Sequence, residues 1–218
     1  MRVEDLKILA YRPAWELQER LHAEVVAGGE ERLLIVEHPP VITLGRRPKP
    51  DAHLLASAED LARLGVELVH TDRGGDITFH GLGQIVVYPI IRLNEHGLSV
   101  GGYVRALENG VITALADLAI PGRRISGAVG VWTGLADRPA KICAIGVRIR
   151  RGVSMHGLAL NVETDMNYFN LIVPCGLAGS AVTSVRKILG DQTPPVDTVK
   201  HILVVALQRQ LTAVESAT

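Results

Sequence analysis

The sequence predicts an α/β chain of the α+β type, a mixed or antiparallel sheet flanked by helices, and three observations predict it. Strand-like and helix-like runs are interspersed along the chain, and Arg150-Arg151-Gly152 reads as a turn joining two strand-like runs into an antiparallel hairpin. The spacing also fits a regular βαβ nucleotide fold poorly. At 218 residues the chain can bury one substantial core. With no period-scale repeat, low-complexity tract or obvious linker, residues 1–218 read as one domain.

The elements follow in order. Leu6–Tyr11 reads as a first strand, and Pro13 sits where a helix begins, with Trp15, Leu17, Leu21, Val25 and Val26 marking its buried face. Gly28-Gly29 ends it. Arg32–Glu37 and, after Pro39-Pro40, Val41–Leu44 read as strands. Ser57 caps a helix through Leu64, with Asp60 in its first turn and Gly65 at its end. Val66–Thr71 alternates as a strand does. The stretch Asp72–Gln84 is glycine-rich and sits before the apolar run Ile85–Ile91, with a long hairpin loop as its plainest reading. Val104, Leu107, Val111, Leu115 and Leu118 place a helix over Val100–Leu118 despite its glycines. Val129–Thr133, Lys141–Ile149 and Ser154–Val162 read as strands. Ala181–Leu189 and Val196–Val214 read as closing helices, the second entered through Thr193-Pro194-Pro195.

Composition excludes several functions. Lys+Arg and Asp+Glu are both 23, a formal net charge of zero, without the basic excess that general nucleic-acid or anionic-membrane binding uses. No run approaches the roughly 18 apolar residues of a membrane span. Met1-Arg2-Val3-Glu4-Asp5 leads into no long apolar stretch, which argues against a signal peptide. Cys143 and Cys175 are the only cysteines, so a reduced, cytoplasmic protein is expected, with thiols free for chemistry.

Cys175 lies in Ile172-Val173-Pro174-Cys175-Gly176-Leu177, between a residue that cannot donate and one that tolerates positive φ. A tight turn of this kind can expose a thiol, yet a buried structural cysteine fits the local residues equally well. Lys141 opens the apolar run Lys141–Val147, as a solvated strand end or as an ammonium beside a site. A cation that pulls a thiol from about 8.5 to about 6.5, a difference of about 2.7 kcal/mol, makes most of it thiolate at neutral pH. In a regular strand Cys143 shares a face with Lys141, which makes it a rival nucleophile, although a thiol in mid-strand is usually core. Arg73-Gly74-Gly75-Asp76-Ile77-Thr78-Phe79-His80-Gly81-Leu82-Gly83-Gln84 lets backbone approach a ligand, with Arg73, Thr78 and His80 supplying polar groups. His156-Gly157 repeats the His-Gly pairing of His80-Gly81.

Together, five ordered segments resemble the lipoyl(octanoyl) transferase family. They are Glu37-His38-Pro39-Pro40-Val41-Ile42-Thr43-Leu44-Gly45-Arg46, Arg73 through Gln84, Lys141 through Gly146, His156 through Val162, and Pro174-Cys175-Gly176. One departure is Leu82, where the family has proline in His-Gly-Pro-Gly-Gln; it removes no reactive group. The resemblance implies a fold similar to the biotin and lipoate protein ligase catalytic domains. It also implies octanoyl transfer from acyl carrier protein to a lysine of a lipoyl domain, in 2-oxoacid dehydrogenases or the glycine-cleavage H protein, with no cofactor and no metal. Cys175 then carries the acyl thioester and Lys141 lowers its pKa. Arg73, Gly74, Gly75, Asp76, Ile77, Thr78, Phe79 and His80, with Ala144, Ile145, Gly146, Gly157, Leu158 and Ala159, match the segments that bind the acyl substrate, and His156 supports them. A monomer is expected, and Arg46, Arg47 and Lys49 are candidates to dock an acidic carrier.

Other classes remain open to the sequence. An ATP-dependent adenylating ligase of the lipoate-protein ligase kind would not require Cys175. A non-enzymatic binder of lipoyl domains would leave no acyl adduct, and a cysteine hydrolase would release free acid. A zinc site fits worst, because the two cysteines stand 32 positions apart and no paired ligand motif appears.

Overall fold

The computed structural model describes residues 1–173 and 181–212. Its strands are β1 (Arg2–Ile8), β2 (Arg32–Glu37), β3 (Val41–Leu44), β4 (Glu67–His70), β5 (Ile77–His80), β6 (Gln84–Ile90), β7 (Arg123–Ile125), β8 (Ala128–Leu135), β9 (Arg138–Arg150), β10 (Val153–Asn161) and β11 (Ala181–Val182). The α-helices are α1 (Tyr11–Val26), α2 (Ala58–Leu64), α3 (Val100–Asp117), α4 (Val185–Leu189) and α5 (Val196–Thr212). Among the described residues the larger sheet runs β1-β2-β6-β10-β9-β8-β7, with β11 added beside β9. A second sheet runs β4-β3-β5. The expected mixed sheet with flanking helices is present: β1–β2 and β9–β11 are parallel, and β2–β6–β10–β9–β8 is antiparallel throughout.

The period of two in β2 builds both faces of the larger sheet. Leu33 and Ile35 join Ile85, Val87, Leu158 and Leu160 beneath α3 and α5, which contribute Leu107, Val111, Leu203 and Leu207. Leu34 and Val36 face the other way, with Val86, Tyr88 and Ala159, onto Leu21 and Val25 of α1. Gly110, which weakens α3 as a helix, stands where an added Cβ would lie 2.7 Å from Leu207 Cδ2, so the glycine lets α3 and α5 pack closely. The smaller sheet carries its own apolar layer, Ile42, Leu44, Leu61, Ile77, Phe79 and Ile172.

Local signals in the sequence explain most boundaries. Ser57 and Asp60 form a reciprocal capping box on α2, and Gly65 closes it in the left-handed conformation at φ 64°. Arg151 and Gly152 take positive φ in the β9–β10 turn. Three expectations shift. The first strand begins at Arg2, not Leu6; it is an edge strand with mostly exposed side chains, so no buried alternation marks it. The stretch 72–84 is not one loop, because Ile77–His80 pairs with β3. The helix expected over Ala181–Leu189 begins only at Val185, since Ala181 and Val182 pair with Ala140 and Lys141. Ser184 then caps α4 by accepting from Lys187 N at 3.1 Å.

At Gly157 of β10 an added Cβ would lie 2.1 Å from the Val87 carbonyl oxygen and 2.9 Å from Pro89 Cδ. Both obstacles belong to the central strand β6 and cannot swing aside. Gly157→Ala is therefore expected to cost about 1–3 kcal/mol of stability, read as a lower urea midpoint.

Candidate active site

The glycine-rich segment after β4 is held between the two sheets in part by its backbone. Gly74 N donates to Val147 O of β9 at 2.9 Å, while Gly45, Arg46 and Arg47 N–H groups donate to the carbonyls of Asp76, Arg73 and Gly75 at 3.0–3.1 Å. Side chains would prevent this approach: a Cβ on Gly146 would stand 2.8 Å from Gly74 O, and one on Gly45 would stand 2.4 Å from Gly75 O. Between this segment and the larger sheet lies a cavity of ≈ 570 Å³, within the range of roughly 300–1,000 Å³ usual for small-molecule sites.

The cavity is lined by Arg73, Gly74, Gly75, Asp76, Ile77, Thr78 and His80, by Lys141, Ala144, Ile145 and Gly146, and by His156, Gly157, Leu158 and Ala159. The structure thus brings three separated sequence segments to one space. Phe79 is not among the lining residues; its ring stacks on Tyr168 at 4.7 Å in the apolar layer of the smaller sheet. Arg46 and Arg47 are exposed and also line the cavity, whereas Lys49 is exposed outside it. Cys175, with Pro174 and Gly176, lies outside the described residues.

A directional chain of hydrogen bonds crosses the cavity wall. Arg73 donates to Thr43 through Nε and Nη2, at 3.2 and 2.9 Å to Oγ1 and 2.6 Å to the carbonyl. With its Oγ1 accepting, Thr43 can turn its hydrogen to His80 Nε2 at 3.4 Å. His80 Nδ1 donates to Gln84 Oε1 at 2.7 Å, because Gln84 Nε2 is occupied donating to Phe79 O and Asn161 Oδ1. Asn161 Nδ2 donates to Thr183 O, and Thr183 N donates to Lys141 O. The sequence motifs contain Thr43, Gln84 and Asn161 but give them no role; a buried amide following a His-Gly pair was the available signal.

Burial keeps the histidines here neutral. His38 Nδ1 donates to Leu9 O at 2.6 Å, so Nε2 accepts from the Tyr88 hydroxyl at 2.8 Å. Burial pulls His38 down to about 4, against the Leu9 bond that favours its charged form. His80 is driven well below its ordinary value, first by burial and then by His38. Burial likewise lowers His156, outweighing Asp72, to whose Oδ1 His156 Nε2 is bound at 2.7 Å. Burial would raise Asp72, but the hydrogen bond from His156 and the charge of Arg148 help hold it below the usual carboxylate value; Arg148 pairs with it directly. His156 sits at φ 56° in mid-strand, its N–H taken by Gln18 Oε1 of α1 at 2.9 Å. This explains why Gln18 stands on the buried face of α1, where the sequence pattern shows only apolar residues.

Lys141 and Cys143 part company. The register pairs Trp132 with Lys141 and Val131 with Cys143, so β9 carries one extra residue, Ile142. A regular strand would put both side chains on one face; this bulge does not. Lys141 faces the cavity, with Nζ donating to Val129 O at 3.1 Å and lying 4.7 Å from the Trp132 ring centroid. Cys143 turns with Ile142 into the core under α3 and α5, and burial pushes its thiol up to about 12. Among the described residues no group of three or more His, Cys, Asp or Glu is arranged to hold a metal ion, and no helix is long and apolar enough to cross a membrane.

Comparison with known proteins agrees with this geometry. Residues 10–208 match the lipoyl protein ligase A/B catalytic domain. An octanoyltransferase of Chloroflexus aurantiacus is 48% identical over 206 residues, 94% of this chain and 91% of that protein. An octanoyltransferase of Mycobacterium leprae is 44% identical over 96% of this chain and 87% of its own. In fold, a lipoate-protein ligase A bound with ATP matches with a TM-score of 0.79 at 16% identity, over 96% of this chain and 85% of that one. A biotin protein ligase from Aquifex aeolicus matches at 0.53 and 14%, over 97% and 69%.

Two outcomes are expected. Folded protein treated with iodoacetamide up to about pH 9 leaves the peptide containing Cys143 unlabelled, and urea exposes it; mass spectrometry reads both states. For the histidines, the unfolded chain takes up protons below about pH 6.5 while the folded site does not. Stability should therefore fall as pH drops from about 6.5 towards 4, the value to which burial brings His38. His38→Gln should flatten that dependence in urea titrations.

Proposed function

The chain belongs to the octanoyltransferases built on the lipoyl protein ligase A/B catalytic domain, and from that premise we propose that it moves an octanoyl group from acyl carrier protein to a lipoyl-domain lysine through a thioester on Cys175. The acceptor domains are those of 2-oxoacid dehydrogenases and the glycine-cleavage H protein, and the chain acts as one catalytic domain, a monomer in the cytoplasm. The Cys175 thiolate attacks the carrier thioester; a new C–S bond forms, the old one breaks, and the carrier thiolate leaves to take up a proton. The acceptor amine then attacks the enzyme thioester, a C–N bond forms, and the Cys175 sulfur leaves. The first step exchanges one thioester for another and the second forms a more stable amide, so neither draws on a nucleotide. Lys141, as ammonium, favours the thiolate at each anionic stage; in the second step it gives a proton to the departing Cys175 sulfur and, then neutral, takes the surplus proton of the attacking amine.

The observation that supports this reading is that Lys141 shares one cavity with the glycine-rich segments that match the acyl-binding segments of the family. Val182 pairs with Lys141 itself, and Val173 N donates to His53 O, whose Nδ1 lies 2.8 Å from Asp76 Oδ2 of the cavity wall. The lining along β9 and β10 is glycine and aliphatic, suited to a saturated acyl chain, with Ala144, Ile145, Leu158 and Ala159.

Mixing the protein with octanoyl-acyl carrier protein should give a hydroxylamine-labile octanoyl adduct on Cys175 by mass spectrometry. Cys175→Ala should lose the adduct and slow transfer by about 10³-fold or more. Transfer at the native rate in that variant would reject the thioester scheme, and acid-dependent pyrophosphate exchange would favour an adenylating ligase. Lys141→Ala should move the pH dependence of Cys175 alkylation upward, since a neighbouring ammonium that favours the thiolate is gone.

A further inference from the structure

Lys141 is not held by its strand alone. Its Nζ donates to the carbonyl oxygen of Val129 at 3.1 Å. The N–H of that same peptide unit, on Gly130, donates to Glu108 Oε1 of α3 at 3.1 Å. Glu108 is a carboxylate buried on the sheet-facing side of its helix, 7% exposed. A single peptide therefore stands between the ammonium and the carboxylate, its oxygen facing one and its hydrogen the other. A charged acceptor on the N–H polarises the peptide and adds negative charge to the carbonyl oxygen that receives the ammonium. On the other side Lys141 is the cross-strand partner of Trp132, and its Nζ lies over the indole at 4.7 Å. Trp132 is itself fixed by burial and by Nε1 donating to Ala128 O at 3.0 Å.

The local backbone is shaped for this arrangement. Gly130 takes φ 119°, and a Cβ there would stand 2.6 Å from Cys143 O and 3.4 Å from Lys141 Cε. The lysine stem passes across the open face of the glycine, and the extra residue at Ile142 turns Lys141 towards it.

We propose that Glu108 and Trp132 are positioning residues for Lys141, holding its ammonium at the cavity wall through the Val129–Gly130 peptide and the indole face. They touch neither acyl donor nor acceptor, and act only through the lysine. Both contacts suit an ammonium: the ring attracts a cation, and a carbonyl polarised by a carboxylate on its N–H accepts well from N⁺–H. Glu108 from α3 and the Cys143 thiol from β9 are titratable groups near Lys141, and the thiol stays neutral across the working range because burial raises it to about 12. The catalytic consequence rests on the proposed pairing of Lys141 with Cys175; the positioning itself does not.

The test is an NMR titration of ¹³Cε-labelled lysine, with the Lys141 signal assigned by Lys141→Met, in the wild type and in folded E108Q, W132L and W132F. E108Q keeps an oxygen for Gly130 N–H and removes only the charge; W132F keeps a weaker ring. The Lys141 midpoint is expected to fall by about half a pH unit or more in E108Q and W132L, with W132F between wild type and W132L. The alkaline limb of octanoyl transfer should move down with it. Unchanged midpoints in E108Q and W132L overturn the proposal, and if W132L does not fold, E108Q and W132F decide in the same way. Absence of a Cys175 thioester in the wild type would instead reject the functional reading, while the titration still decides the role of Glu108 and Trp132.

Discussion

The hydrogen bond from Gly74 N to Val147 O, at 2.9 Å, joins the glycine-rich segment to the larger sheet, and the cavity exists because that join is made by backbone. A side chain at Gly146 or Gly45 would meet a carbonyl at 2.8 or 2.4 Å, so the two sheets would have to separate. The same segment returns its own carbonyls to the N–H groups of residues 45–47, leaving its polar groups satisfied from both sides. A wall fixed in this way needs little reordering when a ligand arrives, and ligand binding then costs less in lost freedom. Arg73, anchored on Thr43, extends the join into the smaller sheet.

Charge in this space is economical because burial suppresses it elsewhere. His38, His80 and His156 are all lowered by burial, and Tyr11 is pushed up to about 12 by burial. Their roles at neutral pH are those of neutral donors and acceptors. The chain from Arg73 through Thr43, His80, Gln84 and Asn161 to Thr183 is directional for that reason: each neutral group gives in one direction and receives from the other. It ends on the residue whose N–H binds Lys141 O, so the cavity wall and the lysine strand are set relative to each other by the same network. On the proposed reaction, anionic stages then meet an ammonium in surroundings of low polarity, where its influence exceeds that of a solvated charge.

How far the sequence discloses this depends on the range of the signal. β2 and β3 are legible to the residue because their apolar runs are bounded by turn residues and both faces are buried. The cap of α2 is legible because Ser57, Asp60 and Gly65 are local. β11 is not, since nothing within Ala181–Leu189 records that Ala140 and Lys141 offer an edge to it; a tertiary pairing overrides the helical pattern. Gln18 and His22 are likewise invisible on a helix read for apolar residues, because their partners, His156 N and Arg150 O, lie more than a hundred residues away in sequence. For the site, the glycine and histidine segments converge on the cavity, but the ring of Phe79 packs on Tyr168 and Phe169 in the apolar layer of the smaller sheet, and a contiguous motif cannot show that.

The bulge at Ile142 is the sharpest case of chemistry decided by one residue of register. In a regular β9, Lys141 and Cys143 would face the same way, and a thiol two residues from an ammonium would be a credible nucleophile. With one extra residue the pair splits: the thiol enters the core, where burial disfavours its charged form, and the lysine is left to the cavity. The same distortion leaves the Val129–Gly130 peptide between Lys141 and Glu108. A helix carboxylate thereby supports a strand ammonium without joining it in a direct ion pair, which would compete with any anion forming at the lysine. An indole face completes the support, since a ring attracts the charge itself. On the proposed reaction, the peptide and the ring hold Lys141 by contacts that bring no formal negative charge into the space where a thiolate forms.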